Sequence, residues 1–255
     1  MTLLADQIQR YSRQIILKDI GGIGQSKLLD STVFILGAGG LGSPAALYLA
    51  ASGVGRLIIA DNDLVELSNL QRQILHTTSA VGEAKVESAK KNLNALNPDV
   101  EIITISQRVT ENSVDSLIDK ADLVLDGSDN FATRYLLNDA CLKQKKLLVS
   151  AAVLGFEGQI ATFAHGIDPK APCYRCLFPN PPQSAPTCST AGVLGAAVGT
   201  VGSLQAAEAI KLLLGIGQNL IGSMLLINTF DNIYHNINIA KLPDCPTCGS
   251  QRQLI

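Results

Sequence analysis

The chain has 255 residues, of which 47% are hydrophobic, 16% charged and 4% aromatic, and its formal net charge at pH 7 is −2. This composition is too apolar and too weakly charged for an intrinsically disordered chain, and the near-neutral charge provides no global positive field to hold nucleic acid. A chain of this length has one or two domains and buries enough surface to fold without disulfides.

The N-terminal segment predicts a cytoplasmic protein. From Met1 to Arg13, polar and charged residues such as Asp6 and Arg10 interrupt the apolar ones, so the long apolar core of a signal peptide is missing. In a reducing compartment, the six cysteines of the chain indicate metal binding or catalysis before disulfides.

The first half of the chain predicts strands that alternate with helices. The expected elements are helical segments over 6–29 that break at Gly21 and Gly22, strands over 32–36, 56–60, 101–105, 121–125 and 146–150, and helices over 43–51, 83–96 and 131–143. This alternation gives βαβ units, and we therefore predict an α/β fold with a Rossmann-like, doubly wound, mainly parallel sheet.

The second half continues the same sheet. Strands are expected over 159–164 and 224–228, on either side of a Pro-rich loop and an uncharged, small-residue stretch over 189–207. That stretch contains a GxxxG pattern, but its Gly, Ala and polar content argues against a membrane span and predicts a fully buried helix that approaches a sheet closely. We expect a single domain over 1–255, with a nucleotide-binding half at about 1–165 and a second half at about 166–255.

A glycine-rich loop follows the first predicted strand. Gly37, Gly39, Gly40 and Gly42 lie between that strand and a helix, where glycines permit a tight turn and let backbone N–H groups approach a phosphate. Asp61 ends the next strand 24 positions after Gly37, near the offset of a ribose-binding carboxylate. The pattern predicts a nucleotide site without distinguishing NAD from ATP, and chance glycines are the alternative.

Polar segments follow the second and fourth strands, where ligands bind in open α/β sheets. Arg72 and Lys85 are candidates to neutralise phosphates, and Asp129 or Asp126 to hold Mg²⁺ through oxygen atoms. Solvated loop polarity would explain any one of them, but the whole set suits a triphosphate better than a nicotinamide dinucleotide.

The cysteines divide into three groups. Cys173, Cys176, Cys245 and Cys248 form two CxxC pairs, which predict a structural Cys₄ zinc site that clips distant segments together. Cys188 follows a Pro-rich loop and precedes a predicted helix, so it is either a nucleophile with a lowered pKa or a small buried residue. Cys141 lies in a helix and is expected to pack in the core.

These motifs together resemble one family. The matching stretches are Arg10-Tyr-Ser-Arg-Gln14, Gly37-Ala-Gly-Gly-Leu-Gly42, Leu67-Ser-Asn-Leu-Gln-Arg-Gln73, Asp126-Gly-Ser-Asp-Asn130, Cys173-Tyr-Arg-Cys176, 188–192, 202–211 and the final CxxCG. Over about residues 5–250 the chain resembles the ThiF/MoeB/HesA family, bacterial relatives of ubiquitin-activating enzymes.

The resemblance implies an ATP-dependent adenylyltransferase. Such an enzyme activates the C-terminal glycine of a ubiquitin-like sulfur-carrier protein (ThiS-like or MoaD-like, ending in Gly-Gly) and releases pyrophosphate, in thiamin or molybdopterin biosynthesis. The second half of the chain would then face the carrier. The implied cofactors are ATP and Mg²⁺, beside Zn²⁺ at the cysteines.

The resemblance also assigns residues. Gly40 would belong to the phosphate loop, Asp61 would hold the ribose, and Asp129 with Asn130 would position Mg²⁺ and the attacking carboxylate. The candidate nucleotide-binding residues are Gly37, Gly39, Gly40, Gly42, Asp61, Asp63, Ser68, Asn69, Leu70, Gln71, Arg72, Lys85, Asp129 and Asn130. The candidate catalytic residues are Arg13, Arg72, Lys85, Asp129 and Cys188.

The resemblance further implies a homodimer, in which Arg13 reaches the phosphates of the other subunit. The stretch that starts at Cys188 is closer to ThiF, where the matching cysteine engages the carrier in sulfur transfer, whereas His76 and residues 81–88 are closer to MoeB. No rhodanese domain follows, so we expect any sulfur donor to be a separate protein. An NAD(P)-binding oxidoreductase and a non-catalytic, zinc-containing binding module are the alternative functions, and neither nucleic acid nor a membrane is an expected partner.

Overall fold

The protein is described from a computed structural model, which covers residues 3–180 and 191–249. The helices in these ranges are α1 Ala5–Arg10, α2 Ser12–Ile15, α3 Gly21–Asp30, α4 Gly42–Ala51, α5 Lys85–Leu96, α6 Glu111–Ile118, α7 Phe131–Lys143, α8 Tyr174–Leu177 and α9 Gly195–Leu214. The strands are β1 Thr32–Leu36, β2 Arg56–Ala60, β3 Glu101–Ile105, β4 Leu123–Asp126, β5 Leu147–Leu154, β6 Glu157–Phe163, β7 Ser223–Asn228 and β8 Ile233–Asn238.

In these two ranges the strands form one eight-stranded sheet in the order β3-β2-β1-β4-β5-β6-β7-β8. The pairs from β3 to β5 are parallel, and those from β5 to β8 are antiparallel. The prediction of a mainly parallel, Rossmann-like sheet that continues into the second half is confirmed.

Side chains of the central strands alternate between two cores, because successive residues of a strand point to opposite faces. Val33 and Ile35 of β1 join the core that contains Leu49 of α4 and Leu93 of α5. Phe34 points the other way, into the core that contains Ile118 of α6 and Leu137 of α7. Helices therefore cover both faces, as the apolar runs of β1 and β4 require.

Three elements were absent from the prediction: α6, the four-residue helix α8 and β8. Helix α6 has only eight residues, which is too short for a clear periodic pattern. Thr110 and Ser113 form a capping box at its start. Strand β8 is exposed along its whole length. It is stabilised by pairing with β7 rather than by burial, so the sequence carried no apolar signal for it.

Helix α9 differs from its prediction in burial, whereas its close approach to the sheet is confirmed, because a Cβ on Gly158 of β6 would lie 2.3 Å from Val201 Cγ2 of α9. Its predicted start lies partly outside the described residues, and it runs to Leu214 with one side only partly buried. A Cβ on Gly202 would lie 2.5 Å from Pro44 Cγ, so the small residues bring α9 against α4. By length and composition alone α9 could cross a membrane, but half of its most apolar window is buried inside the protein.

Candidate active site

A cavity of about 620 Å³ opens where the carboxyl ends of β1 and β4 meet. The chain leaves these neighbouring strands in opposite directions across the sheet, which is the position at which doubly wound folds bind ligands. The predicted site residues among its lining are Gly37, Gly39, Gly40, Asp61, Asp63, Arg72, Lys85, Asp129 and Asn130. Polar groups predicted on four separate segments therefore share one cavity.

The glycine loop forms the turn between β1 and α4. Gly37 has φ +97°, a conformation that side chains with a Cβ rarely adopt. A Cβ on Gly42 would lie 1.8 Å from the Gly37 carbonyl oxygen, so the loop closes on itself only with glycine at this position. Gly42 begins α4 and does not line the cavity.

Asp61 fixes the loop to the end of β2. Its carboxylate accepts hydrogen bonds from the backbone N–H of Ala38 at 2.8 Å and from that of Asp63 at 2.9 Å. The carboxylate also lines the cavity. Asp61 therefore shapes the glycine loop in the structure, and its contact with a ribose stays a prediction.

Arg72 and Lys85 supply positive charge from one side of the cavity. Lys85 is 5% exposed, and its ammonium donates to Asp63 Oδ2 at 2.7 Å. Arg72 donates to the Ser68 carbonyl oxygen at 3.2 Å. Neither cation is enclosed by carboxylates on all sides, which leaves both able to meet an anionic ligand.

The segment after β4 supplies the acidic side. The Asp126 carboxylate is fully buried and accepts hydrogen bonds from the Ser128 N–H, the Ser128 hydroxyl and the Ser150 hydroxyl at 3.0, 2.6 and 2.7 Å. The alternative prediction that Asp126 binds Mg²⁺ is therefore wrong, because both carboxylate oxygens already accept hydrogen bonds and are buried from solvent. Asp129 is exposed and lines the cavity, and Asn130 caps α7 by accepting the Thr133 N–H at 2.9 Å.

His76 supports the glycine loop from behind. Its Nε2 lies 2.8 Å from the Ala38 carbonyl oxygen, which only accepts, so Nε2 carries the proton and Nδ1 accepts from the Ser88 hydroxyl at 2.9 Å. Burial lowers the pKa of His76; the bond to Ala38 opposes this shift and the nearby charge of Lys85 adds to it. The ring is held neutral.

Several predicted residues lie outside the cavity lining. Four of them lie in or directly after a 3₁₀ turn at Leu67–Asn69, and the Asn69 carbonyl oxygen accepts hydrogen bonds from the backbone N–H groups of Arg72 and Gln73. These four residues are Ser68, Asn69, Leu70 and Gln71. Their direct contact with a nucleotide stays a prediction, as does that of Arg13, which is exposed on α2. Cys188 lies outside the described residues.

Other lining residues were not predicted. Gln73 is buried beside the glycine loop, Arg108 follows β3, and Arg134 lies one turn into α7. The position of Gln73 in the same polar segment as Arg72 was the available signal. The remaining wall is largely apolar and comes from the β5–β6 hairpin, β7 and α9, through Ala152, Val153, Leu154, Glu157, Gly158, Gln159, Val198 and Leu226.

The four predicted zinc ligands meet at one point. All four sulfurs lie within 4.8 Å of one another, with Cys173 Sγ 3.6 Å from Cys245 Sγ and Cys176 Sγ 3.4 Å from Cys248 Sγ. A tetrahedral ion with Zn–S bonds of about 2.3 Å requires sulfurs about 3.8 Å apart, so the cluster can bind one zinc ion. Burial raises the pKa of the Cys173 thiol, and the charges of Cys176 and Cys248 raise it further, so Cys173 needs a nearby cation to ionise. Cys141 is buried in the core, as predicted.

Comparison with known proteins identifies relatives along the whole chain. A model of the ThiF family matches residues 11–247. The SAMP-activating enzyme E1 of Haloferax volcanii is 48% identical over 98% of this chain and 92% of its own length. The sulfur carrier protein adenylyltransferase of Thermus thermophilus is 46% identical over 98% and 95%. The adenylyltransferase and sulfurtransferase MOCS3 of Culex quinquefasciatus is 47% identical over 98% of this chain, which spans only 57% of that longer protein.

Solved structures share the fold. Escherichia coli MccB with ATP superposes with a TM-score of 0.79 at 26% identity, over 94% of this chain and 73% of MccB. MccB with succinimide gives a TM-score of 0.81 at 24% identity, over 94% and 74%.

Proposed function

This chain belongs to the ThiF family and is an adenylyltransferase, and from that premise we propose that it uses ATP to adenylylate the C-terminal glycine of a ubiquitin-like sulfur-carrier protein. The carrier would be ThiS-like or MoaD-like and would end in Gly-Gly. The products would be the carrier acyl-adenylate and pyrophosphate, for sulfur transfer in thiamin or molybdopterin biosynthesis in the cytoplasm.

One observation carries the proposal: a phosphate-type glycine loop, two cations and an exposed carboxylate line the same cavity. Gly40, Arg72, Lys85 and Asp129 approach it from four segments of the chain. A nicotinamide cofactor needs no such concentration of positive charge beyond its pyrophosphate, whereas a triphosphate needs it along its whole length. The set therefore favours ATP over NAD(P).

The reaction joins two anions, and the site is suited to reduce their repulsion. A carboxylate oxygen of the carrier attacks the α-phosphorus of ATP, an O–P bond forms, and the bond from the α-phosphorus to the bridging oxygen of pyrophosphate breaks. No proton has to be removed, because the attacking carboxylate is already ionised at neutral pH. Catalysis therefore rests on positioning and charge stabilisation.

We assign the roles from the geometry of the site. Lys85 and Arg72 would bind the phosphates and stabilise the charge that develops on pyrophosphate. For Lys85, this requires its ammonium to shift from Asp63, which lies at the exposed rim. Asp129 offers exposed carboxylate oxygens at the cavity, which fit Mg²⁺, and the ion would neutralise phosphate charge when bound.

We propose that the enzyme acts as a homodimer. Arg13 is exposed and does not line the cavity of its own chain. The same region exposes apolar side chains, with Ile16 70%, Leu17 54% and Ile23 90% exposed, which is typical of a surface that another chain covers. Arg13 would then complete the site of the partner subunit. A separate protein would donate the sulfur, with Cys188 as the candidate residue for that later step.

The test is ATP–pyrophosphate exchange, measured with and without a carrier that ends in Gly-Gly. Exchange is expected only with the carrier. Arg72→Ala and Arg13→Ala should each lower the exchange rate about 10²–10³-fold, the usual effect of removing a group that stabilises transition-state charge. Lys143→Ala is the control, because Lys143 pairs with Asp115 on the surface away from the cavity.

Coexpression of the two variants with different tags separates the dimer hypothesis from the assignment of the reaction. In a heterodimer of Arg13→Ala and Arg72→Ala chains, one site has both changes and the other has neither, so about half of the wild-type rate should return. A heterodimer as inactive as its parents contradicts the shared site. ATP–pyrophosphate exchange at the same rate with and without the carrier, or binding of NAD(P)H in preference to ATP, contradicts the proposed reaction.

A further inference from the structure

Arg134 is a buried cation at the edge of the cavity. It lies one turn after Asn130, the residue that caps α7, and it is 7% exposed. A buried guanidinium is costly unless partners satisfy it, so its contacts indicate what it does.

The contacts of Arg134 converge on the segment that carries Asp129. Arg134 Nη2 donates to the Ser128 carbonyl oxygen at 3.0 Å, and Arg134 Nε lies 3.9 Å from Asp126 Oδ2. The guanidinium carbon lies 5.5 Å from the centre of the Phe131 ring. Arg134 thus links both ends of the turn that presents Asp129 to the cavity.

Tyr174 lies on the other side of Arg134. Among the described residues, neither the Tyr174 hydroxyl nor Arg134 Nε has a hydrogen-bond partner, although both are buried and both line one small cavity of about 10 Å³. The ring of Tyr174 packs edge-on against Tyr135 and Phe163, with centroids 5.7 and 5.5 Å apart. The packed ring of Tyr174 therefore forms part of the wall of the small cavity that Arg134 also lines.

Tyr174 is also part of the first CxxC pair, between Cys173 and Cys176. Its backbone N–H donates to Asn138 Oδ1 of α7 at 2.8 Å. Both cysteine pairs contact the next residue of α7, because Arg175 lies 3.3 Å from Asp139 Oδ2 and the Thr247 hydroxyl donates to Asp139 Oδ1 at 3.3 Å. Helix α7 thus contacts the cysteine cluster along one side and begins at the cavity.

We propose that Arg134 is the positioning residue that holds the 126–130 segment in its binding geometry, and that Tyr174 keeps Arg134 in place, so that the cysteine cluster and the nucleotide site are coupled through α7. The inference rests on the proposed function, since it concerns how the Asp129 segment receives Mg²⁺ and ATP. It assigns to the tyrosine of the first CxxC pair a role beyond folding.

The test compares Tyr174→Leu, Arg134→Lys and the double variant by titration with Mg²⁺·ATP in a calorimeter and by the Mg²⁺ concentration that gives half-maximal exchange. Tyr174→Leu removes the ring that packs against Tyr135 and Phe163, and Arg134→Lys retains the charge without the planar fork. Each should raise the Kd and the half-saturating Mg²⁺ concentration about tenfold, the effect of one misplaced hydrogen-bonding group. The double variant should be no weaker than Arg134→Lys alone, because both changes act through the same side chain.

Lys143→Ala, at the other end of α7, is the matched control and should leave both values unchanged. Wild-type Mg²⁺ dependence in Arg134→Lys, or additive effects in the double variant, would overturn the proposal. If Arg134→Lys does not fold, an unchanged Mg²⁺ dependence in Tyr174→Leu overturns it alone. The titration needs neither carrier nor turnover, so a wild-type chain that binds Mg²⁺·ATP but exchanges no pyrophosphate contradicts only the proposed function.

Discussion

At the scale of single residues, His76 shows how a buried group sets the shape of a binding loop. Its proton on Nε2 binds the Ala38 carbonyl oxygen, and Ala38 lies between the first two glycines of the phosphate loop. Protonation of Nδ1 would place a donor against the Ser88 hydroxyl and a charge in a site beside Lys85. The stability of the folded loop therefore depends on the protonation state of the ring, because the Ser88 hydroxyl can turn to accept from Nδ1 but the added charge would be buried.

This dependence predicts a pH effect on stability. The pKa of His76 is lowered in the folded state, so below the ordinary value of about 6.5 the unfolded chain binds more protons than the folded one. The free energy of unfolding should decrease as the pH falls from 7 through 6. Urea titrations across this range should show a shallower decrease for His76→Gln, which at pH 7.5 is itself less stable by about 1–2 kcal/mol.

His235→Gln is the control for this measurement, because His235 is exposed on β8. Its pH slope should match that of the wild type. An identical slope in His76→Gln and the wild type would show that His76 is not the group that titrates.

At the scale of elements, the sequence predicted the strands and helices whose side chains are buried. The bounds of β1, β2, β3 and α7 agree with the structure, because apolar β-branched runs end at glycines or polar residues, and α7 begins after its cap. Strand β8 could not be predicted in this way, since no face of it is buried.

The site was predictable to the same degree. Residues that directly follow parallel strands meet at one edge of the sheet, which brought the glycine loop, Asp61 and Asp129 together. The direction of a side chain within a helix or a turn is set by tertiary packing, which the sequence does not show. Arg134 was therefore missed as a lining residue, and the 3₁₀ turn at Leu67–Asn69 keeps Gln71 out of the lining.

The junction between β1 and α4 gives a prediction at this scale. Gly42→Ala forces a Cβ to within 1.8 Å of the Gly37 carbonyl oxygen, and should destabilise the protein by about 3 kcal/mol or more. Gly199→Ala in α9 is the matched control, because a Cβ there meets nothing within 4 Å, and it should stabilise by about 0.5–1 kcal/mol. Thermal unfolding measures both, and a wild-type Tm for Gly42→Ala would contradict the geometry.

At the scale of the whole molecule, the cysteine cluster joins segments that are distant in sequence. The described part of the chain between Cys176 and Cys245 includes α9, β7 and β8. A metal bound to all four sulfurs would close this part of the chain into a loop anchored on α7. Such a metal would therefore stabilise the second half of the sheet as a unit.

Removal of a ligand tests this role. Cys245→Ser should lose one equivalent of zinc and lower the Tm by about 10 °C, the effect of losing a ligand present at a thousandfold excess over its Kd in a chain of this size. Cys141→Ala removes a buried thiol that is remote from the cluster and should keep its zinc. Metal analysis and calorimetry decide the outcome. A Cys245→Ser chain with full zinc content, or with an unchanged Tm, would contradict a four-cysteine site.

The reversal of strand direction after β5 affects where a second substrate can bind. The five parallel strands end at the nucleotide-type loops, and the β5–β6 hairpin then returns along the same edge and adds an apolar wall to the cavity. Many enzymes with two substrates bind the second substrate on a separate domain. Under the proposed function, the tail of the carrier would bind against this wall, so that one continuous sheet would carry the sites of both reactants.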